Sequence, residues 1–544
     1  MKLLEHFKEL SLYPNNAEEL KGLILQLAIQ GKLTKGWRVN NPNTEPASEL
    51  LKRIEAEKQQ LIADKKIKKE KPLPPIEDDE IPYELPEGWV WCRLGTYTHN
   101  FGQKKPDKAF EYIDVASIDN HLGVIRSDLN VVKASEAPSR ARKIIEKGCV
   151  IYSTVRPYLL NIACVDRDFE FEAIASTAFA ILNPIQECSP RHLYYTLRSP
   201  FYIEYVESFM KGVAYPAIND KNLLNGPIPV PPSEEQKAIV EVVNTLFKEV
   251  EQLETLTKKR IQLKESFVVS ALNKLTEAKN TQQEWNFLQQ HFSSFFTEKK
   301  NIKSLRETIL QLAVQGKLTK GWRVNNPNTE PASELLKRIE AEKQQLIAKK
   351  KIKKEKTLPP VENDEMPYEL PVGWKFTRLG SIIKISSGDG LTSTNMDKDG
   401  SIPVYGGNGI TGYHSKFNVS KPEIVIGRVG YYCGSIHLTE EKAWVTDNAF
   451  VTKFSEQNIY RGYLVWLLKG TNLKENENAT AQPVISGKKI YPIVIGFPPL
   501  EEQKAIVEKV NSLMALCDEL EQQIETSNIQ IEQLMQSCVA EALA

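Results

Sequence analysis

The stretch Leu25-Gln-Leu-Ala-Ile-Gln-Gly-Lys-Leu-Thr-Lys-Gly-Trp37 opens a segment, residues 25–71, that returns at residues 310–356. The two copies differ at only two positions, Ile29 against Val314 and Asp64 against Lys349. Such agreement over a long segment identifies the chain as a tandem duplication. Its fold must therefore consist of two related halves.

A second repeated block shows that the segments between the copies have unequal lengths. Pro-Pro-Ser-Glu-Glu-Gln-Lys-Ala-Ile-Val at 231–240 pairs with Pro-Pro-Leu-Glu-Glu-Gln-Lys-Ala-Ile-Val at 498–507. The shift between copies falls from 285 to 267 residues, so the intervening segments differ in length by 18 residues (285 − 267). They also differ in sequence nearly everywhere. Two unlike cassettes, residues 96–230 and 381–497, thus lie within two near-identical frames.

Two explanations account for the near-identity of the frames. In the first, each frame is constrained by the same partner, which predicts two identical docking sites. In the second, recombination has homogenised the frames while the cassettes were exchanged. Both explanations assign recognition to the cassettes.

The composition is typical of a soluble globular protein with three or four domains, at 544 residues, 41% hydrophobic and 26% charged. No stretch approaches the roughly 20 apolar residues that a bilayer requires, and we expect a cytoplasmic protein. The formal net charge is zero, with 15 basic against 15 acidic residues in the first cassette and 12 against 10 in the second. This balance disfavours a protein that holds nucleic acid alone through a basic face.

No motif for autonomous catalysis or metal binding is present. The sequence has no G-x-x-x-x-G-K-[ST] loop, no H-E-x-x-H, and no amino-methyltransferase signature of the Asn/Asp-Pro-Pro-aromatic type. Residues 407–412 match G-x-G-x-x-G, but no long helix follows, so we predict a glycine-rich surface loop and no dinucleotide site. We expect reduced packing roles for the seven cysteines, Cys92, Cys149, Cys164, Cys188, Cys433, Cys517 and Cys538. The sequence predicts neither a catalytic residue nor a metal site.

Local patterns predict an α+β fold with two pseudo-symmetric halves. Capping boxes predict the start of a short helix in each frame, at Asn16 with Glu19 and at Ser304 with Glu307. Gly31 and Gly316 can adopt the left-handed conformation that ends a helix. A second helix follows in each frame and ends in a lysine run, which we interpret as a solvated helix end.

Strands and long helices complete each half. The cassettes contain short runs rich in β-branched and aromatic residues separated by Gly, Asn, Asp and Pro, which predicts mixed, strand-rich domains. Apolar residues then recur at spacings of four and three after Pro231-Pro232 and Pro498-Pro499. This seam predicts two long helices that pair as an antiparallel coiled coil. About 40 helical residues would reach roughly 60 Å.

The chain resembles the specificity subunit of type I restriction-modification enzymes over nearly its whole length. The residues that carry the resemblance are Ser153-Thr-Val-Arg-Pro-Tyr-Leu, Ala175-Ser-Thr-Ala-Phe, Gly427-Arg-Val-Gly-Tyr-Tyr-Cys-Gly, Val445-Thr-Asp-Asn-Ala-Phe, and Pro-Pro-x-Glu-Glu-Gln-Lys-Ala-Ile-Val at each long helix. The resemblance implies two target recognition domains, each reading one half of a split DNA sequence. The long helices would then separate the half-sites by about one DNA turn, on the order of 34 Å.

The resemblance also implies partners. Two copies of a DNA methylation subunit would dock on the frames and bring S-adenosylmethionine and adenine methylation, and their DNA clamp would complete the modest basic charge of this chain. ATP and Mg²⁺ are expected on partner subunits, and motor-nuclease subunits are compatible with the resemblance. No cofactor is expected on this chain, which we predict to be a non-catalytic DNA-recognition subunit.

The predicted domain boundaries follow from the repeats and the resemblance. They are 1–88 and 304–373 for the helical frames, 89–232 and 374–499 for the target recognition domains, 233–275 and 500–544 for the long helices, and 276–303 for the connector between halves.

Candidate DNA contacts are polar, basic and aromatic residues of the cassettes. Arg156 and Arg428 lie in corresponding segments, and an arginine can donate two hydrogen bonds to guanine O6 and N7. A structural salt bridge is the alternative role for each. The full candidate set is Gln103, Lys104, Lys105, Arg156, Tyr158, Lys211, Tyr215 and Lys221 in the first cassette, and Asn408, Tyr413, Lys416, Arg428, Tyr431, Gln482, Lys488 and Lys489 in the second.

Three other functions remain open on the sequence. A specificity subunit of a methylation-only assembly would have the same sequence features. A coiled-coil scaffold whose cassettes bind proteins is favoured by the near-neutral charge of the cassettes. An enzyme with an unrecognised site is the third. Two dissimilar domains set in near-identical frames favour a protein that reads a split DNA sequence.

Overall fold

The computed structural model describes residues 16–69, 71–185, 187–212, 215–278, 281–350, 352, 358–397, 399–473 and 484–543. The chain forms two compact units. The first contains Met1–Arg260 and Gln530–Ala544, and the second contains Ile261–Ile529. Each half of the duplicated sequence thus supplies most of one unit, while the last residues of the chain belong to the first.

The first half folds as helices, then a strand-rich cassette, then one long helix. Its helices are α1 (Asn16–Ile29), α2 (Lys35–Asn40), α3 (Ala47–Ala63), α4 (Leu94–Tyr97), α5 (Pro190–Leu197), α6 (Pro200–Ser208), α7 (Asp220–Leu224) and α8 (Ser233–Glu277). Its strands are β1 (Val90–Arg93), β2 (Thr98–His99), β3 (Phe110–Ile113), β4 (Ile118–Asp119), β5 (Val124–Ile125), β6 (Asn130–Val132), β7 (Ala141–Ile144), β8 (Val150–Ser153), β9 (Ile162–Cys164), β10 (Glu172–Ser176), β11 (Phe179–Pro184) and β12 (Pro227–Val230).

The second half repeats this order with fewer strands. Its helices are α9 (Thr281–Gln290), α10 (Phe292–Phe295), α11 (Lys299–Val314), α12 (Lys320–Asn325), α13 (Ala332–Ala348), α14 (Leu379–Ile382), α15 (Arg461–Gly470), α16 (Gly487–Ile490) and α17 (Leu500–Leu543). Its strands are β13 (Lys375–Arg378), β14 (Ile383–Ser387), β15 (Ile402–Gly406), β16 (Gly409–His414), β17 (Ile424–Gly427), β18 (Ile436–Leu438), β19 (Trp444–Val445), β20 (Ala449–Phe454) and β21 (Val494–Phe497).

One sheet is common to both cassettes and a second sheet differs between them. The common sheet has the order β2-β11-β8-β9 in the first cassette and β14-β20-β17-β18 in the second. The other sheet has four strands in the first, in the order β6-β3-β10-β7, and three in the second, in the order β16-β15-β19. In each cassette the first and last strands pair, β1 with β12 and β13 with β21. The predicted α+β fold with a shared core is confirmed.

A buried carboxylate in each long helix fixes the frame helices. Glu235 is 1% exposed and accepts hydrogen bonds from Arg38 Nη1 at 2.5 Å, Thr34 Oγ1 at 2.6 Å and Trp89 Nε1 at 2.8 Å. In the second half Glu502 accepts from Arg323, Thr319 and Trp374, the equivalent residues. A buried charge needs such partners, so these repeated residues are explained by the fold of each half.

Helix ends confirm one sequence prediction and contradict another. Gly31 and Gly316 have φ of +67° and +69° and close the frame helices. The predicted capping box at Ser304 is wrong, because α11 already begins at Lys299 and Ser304 lies inside it. Ile302 is fully buried ahead of that serine, so the apolar stripe of α11 extends past the predicted start.

The long helices begin where the paired prolines predict. Helix α8 begins at Ser233, directly after Pro232, and α17 begins at Leu500, directly after Pro499. The predicted connector, residues 276–303, contains α9 and α10. Within the described residues, no helix is long and apolar enough to cross a membrane.

Candidate nucleic-acid interface

The central strand of the common sheet ends in a sharp loop in the first cassette. Strand β8 is completely buried, and residues 154–160, the first arginine loop, follow it. Arg156 adopts a left-handed backbone with φ +49° and ψ 56°, and its N–H donates to Pro216 O at 2.8 Å. A non-glycine residue rarely holds this conformation, which carries strain and is enriched at functional sites.

The side chain of Arg156 lies over an exposed aromatic ring. Its guanidinium carbon is 4.4 Å from the centroid of the Tyr215 ring, and that tyrosine is 67% exposed. No ion pair of Arg156 exists among the described residues, and its Nε is buried without a hydrogen-bond partner. The alternative role in a salt bridge is therefore not supported. A cation held on a ring and free of carboxylates remains available for an anionic or hydrogen-bonding ligand.

Backbone pairing brings other predicted residues beside this loop. Ala217 bridges to Val155 on one side and to Lys211 on the other, which places the exposed Lys211 next to the first arginine loop. Gln103 bridges to Lys143, whose amine pairs with Asp220 Oδ2 at 3.1 Å. The loop, the segment after α6 and the start of α7 therefore share one region of the first cassette.

The lysines of the first set differ in their charge partners. Lys104 pairs with Glu172 at 2.8 Å and with Asp107 at 3.2 Å, and the Glu172 hydrogen bond raises the pKa of the Lys104 amine. Its charge is largely compensated within the cassette. Lys105 and Lys221 are exposed. They are better candidates for phosphate contacts than Lys104.

The second cassette has a corresponding loop, residues 428–434, which we call the second arginine loop. It follows the buried strand β17. The Arg428 guanidinium carbon is 5.4 Å from the centroid of the Phe450 ring, and its Nη1 donates to Asp447 O at 3.3 Å. Like its counterpart, Arg428 has no ion pair among the described residues, and its Nε lacks a partner.

A β-hairpin turn packs directly on the second arginine loop. The G-x-G-x-x-G match spans the turn between β15 and β16, so the predicted surface loop is a hairpin turn. The Ser435 Oγ donates to Gly407 O at 2.8 Å, and a Cβ on Gly427 would lie 2.1 Å from that same oxygen. Asn408, in this turn, is exposed beside the loop.

The remaining residues of the second set lie farther along the same cassette. Tyr413 is exposed on β16 and Lys416 is exposed just after it. Lys488 is exposed on α16, while Lys489 is partly buried and donates to Val484 O at 3.3 Å. Gln482 lies outside the described residues.

The two arginines occupy corresponding loops but different positions in them. Thr154 N donates to Ala178 O at 2.9 Å, and Arg428 N donates to Asn448 O at 2.9 Å, in each case just past the central strand. Arg428 therefore matches Thr154, and Arg156 lies two residues further along its loop. The sequence motifs identified the correct segments, but the backbone pairing that fixes the alignment is not visible in them.

The sequence analysis did not select several further polar residues that border the loops. Thr177 is exposed next to Ala178, and its N–H donates to the carbonyl of the exposed Arg140 at 2.9 Å. In the second cassette Tyr432 is 54% exposed and lies against Tyr431, with ring centroids 5.1 Å apart. A signal for Thr177 was present, because it lies in the Ala175-Ser-Thr-Ala-Phe motif.

Several titratable side chains are buried inside the two halves. His99 and His192 are buried, and burial lowers the pKa of each imidazole to about 4. All seven cysteines are buried thiols. Among the described residues no group of three or more His, Cys, Asp or Glu side chains could hold a metal ion. In the described residues, the two cassettes thus carry related loops beside unlike second sheets.

Comparisons with known proteins define the family. A family model described as "Type I restriction modification DNA specificity domain" matches residues 96–265 and 371–532. The EcoEI specificity subunit of a type I restriction enzyme from Escherichia coli is 30% identical over 551 residues, covering 94% of this chain and 91% of that protein. The EcoAI specificity subunit from the same species is 31% identical over 555 residues, with the same coverage. The chain belongs to the family of type I restriction-modification DNA specificity subunits.

The fold agrees with a solved structure. A chain from "Structural basis underlying complex assembly and conformational transition of the type I R-M system" has a TM-score of 0.51 and 23% identity. The alignment covers 85% of this chain and 99% of the other. Because the family model of the DNA specificity domain matches both cassettes, we call them the target recognition domains.

Proposed function

We propose that this chain selects the DNA sequence for a type I restriction-modification complex, and that each target recognition domain reads one half of a split, asymmetric target. The observation that carries the proposal is the pair of arginine loops. Two domains with unlike second sheets place an arginine in the same loop of the same sheet, and neither arginine pairs with a carboxylate among the described residues. Different surroundings of a common loop are what two different half-sites require.

The chemistry of the loops suits the major groove. Arginine donates a planar pair of hydrogen bonds that matches guanine O6 and N7. The aromatic rings under Arg156 and Arg428 restrict each guanidinium before DNA arrives, which reduces the ordering cost of binding. The exposed Lys105, Lys211 and Lys488 are suited to phosphate contacts that position the duplex.

The frames are proposed as docking sites for two methylation subunits. Packing explains the repeated buried residues, such as Glu235. It does not explain the repeated exposed residues. Val39 and Val324 are both 73% exposed on α2 and α12. An identical exposed apolar side chain in each frame supports two equivalent protein contacts, because packing inside the frame does not require it.

The remaining parts of the proposal concern the assembly. The chain contributes recognition and no catalytic residue. S-adenosylmethionine, ATP and Mg²⁺ belong to partner subunits, and the complex acts on chromosomal DNA in the cytoplasm. The long helices α8 and α17 pair as an antiparallel coiled coil and set the distance between half-sites. The near-neutral charge of the chain is consistent with a DNA clamp completed by its partners.

Single-molecule sequencing of host DNA for methylated adenines tests the proposal, with and without this gene under otherwise identical growth. We expect deletion to remove methylation from one split motif. If no methylated motif depends on the gene, and an affinity-purified complex contains no methyltransferase, the chain is a scaffold and the proposal is wrong.

A further inference from the structure

The two arginine loops share two left-handed backbone positions and one turn hydrogen bond. Two left-handed residues, four positions apart, occur in each. They are Arg156 (φ +49°) and Leu160 (φ +50°) in the first loop, and Gly430 (φ +90°) and Gly434 (φ +83°) in the second. The first residue of each pair accepts a hydrogen bond from the residue three positions on, Leu159 N at 3.0 Å and Cys433 N at 2.9 Å. Arg156 therefore corresponds to Gly430.

The strand pairing on the other side of the loops gives the same alignment. Val155 bridges to Ala217, and Val429 bridges to Val484. Since 217 and 484 are equivalent at the 267-residue shift of the flanking sequence, residues 155 and 429 are equivalent too. Two independent features of the backbone thus align the loops without reference to side chains.

In this alignment the side chains at several positions differ between the two loops, and one side chain is the same in both. Arg428 of the second loop corresponds to Thr154 of the first. Arg156 of the first loop corresponds to Gly430 of the second. The following position holds the buried Pro157 in one loop and the exposed Tyr431 in the other. The next holds tyrosine in both, and these two tyrosines are Tyr158 and Tyr432.

Both shared tyrosines are exposed at the apex of their loops. Tyr158 is 44% exposed and Tyr432 is 54% exposed. Each lies midway between the two left-handed residues of its loop, so the backbone turn directs the same position outward in two domains that otherwise differ. A single exposed aromatic ring is common on protein surfaces. The recurrence of an exposed tyrosine at the same position of two otherwise unlike loops is what points to a ligand.

We propose that Tyr158 and Tyr432 form a contact with the DNA backbone that the two domains have in common, whereas Arg156 and Arg428 discriminate between bases. This inference rests on the proposed function. A side chain that is the same in both domains cannot encode the difference between two half-sites. A phenol can pack its ring on a deoxyribose and donate its hydroxyl hydrogen to a phosphate oxygen, contacts that carry no base information.

The test uses the full chain assembled with its methylation subunits. Dissociation constants are measured at one fixed salt concentration for the target duplex, a duplex with one half-site changed, and an unrelated duplex. We expect Tyr158→Ala and Tyr432→Ala each to weaken binding to all three duplexes by about the same factor, roughly five- to tenfold, which leaves the ratio between duplexes unchanged. Arg156→Gly, in contrast, should lower the ratio between target and changed duplex.

Matched controls come from exposed apolar side chains at the opposite ends of the strands. Phe171 is 40% exposed just before β10, and Leu438 is 47% exposed at the end of β18 that lies away from the second arginine loop. Alanine at either position should leave all three constants unchanged. Circular dichroism melting of each variant establishes that the domain remains folded.

Three results would overturn the inference in distinguishable ways. If the wild-type complex shows no preference among the duplexes, the proposed function itself fails. If it has a preference and the tyrosine variants bind like wild type, only the shared contact is refuted. If Tyr158→Ala or Tyr432→Ala changes the ratio between duplexes, the tyrosines read bases and the separation of roles is wrong.

Discussion

At the scale of single residues, the buried carboxylate of each long helix joins three segments of its frame. Glu235 contacts Arg38, Thr34 and Trp89, which come from α2, the turn before it and the start of the first target recognition domain. Removing the carboxylate leaves the arginine partly buried with no counter-charge. Such a loss typically costs about 3–5 kcal/mol.

Glu235→Ala is therefore expected to destabilise the first unit by about 3–5 kcal/mol. Differential scanning calorimetry of the full chain measures the loss as a lower melting temperature. Glu234→Ala is the matched control, because Glu234 is exposed and pairs with the exposed Lys237 at 2.9 Å. Equal melting temperatures for the two variants would show that the buried cluster does not hold the frame.

A buried histidine predicts a dependence of stability on pH. His192 lies inside α5, and its buried Nε2 has no hydrogen-bond partner among the described residues. Burial lowers the pKa of its imidazole to about 4 from an ordinary value of 6.5. Between these values the unfolded chain binds a proton that the folded chain does not. Stability contributed by the neutral histidine is thus complete above pH 6.5 and is lost as the pH falls towards 4.

Replacing His192 should reduce the loss of stability on acidification. We expect His192→Leu to have a shallower decline in unfolding free energy than wild type between pH 6.5 and 4, by up to about 3 kcal/mol at the acid end. Urea denaturation at several pH values gives the two curves. Parallel curves would indicate that the pKa of His192 is the same in the folded and unfolded protein.

The sequence predicted some of these residue roles and could not predict others. The motifs around Arg156 and Arg428 marked the correct loops, because strand ends and glycines are local signals. The two-residue offset between the arginines depends on which carbonyl pairs with each loop, which is a long-range property. The ion pair of Lys104 with Glu172 likewise joins residues far apart in the chain.

At the scale of elements, the end of the last helix belongs to the first unit. Met535 and Cys538 of α17 are buried in one apolar cluster with Ala17 and Leu20 of α1 and Val250 of α8. The helix that starts in the second half therefore completes the core around the first frame helix. The apolar seam predicted this helix and a pairing with the other long helix, but it did not predict the packing of α17 on α1.

Met535→Ala should accordingly weaken the first frame helix. Met535 is 1% exposed, and truncation of a buried methionine costs about 2–5 kcal/mol. In this variant, hydrogen–deuterium exchange within α1 should be faster than in wild type, while exchange within α11 should be unchanged. Gln536→Ala, at an exposed neighbouring position, is the control. Faster exchange in α11 with α1 unchanged would contradict the packing.

Sheet topology shows the limit of element prediction from sequence. Alternating β-branched runs predicted strand-rich domains, and the returning register at their ends predicted a shared core. The common sheet confirms both predictions. The unlike second sheets, with β3 parallel to β10 in one and a β15–β16 hairpin in the other, depend on pairings that local patterns do not specify.

At the scale of the whole molecule, the duplication separates what is shared from what varies. The frames, the strand order of the common sheet and the left-handed positions of the arginine loops recur in both halves, while the second sheets and most loop side chains differ. The sequence predicted this division, because near-identity and divergence alternate along the chain. The central claim is that each variable part reads its own half of one DNA target.

The most direct test compares the methylated adenine motifs of host strains that carry Arg156→Gly or Arg428→Ala in this gene. Glycine is chosen at 156 because the equivalent Gly430 has the same left-handed conformation. We expect each variant to relax one half of the split motif and to leave the other half intact, with different halves affected, at a cost of about 1–3 kcal/mol in discrimination. Relaxation of the same half by both variants, or an unchanged motif in both, would contradict the account.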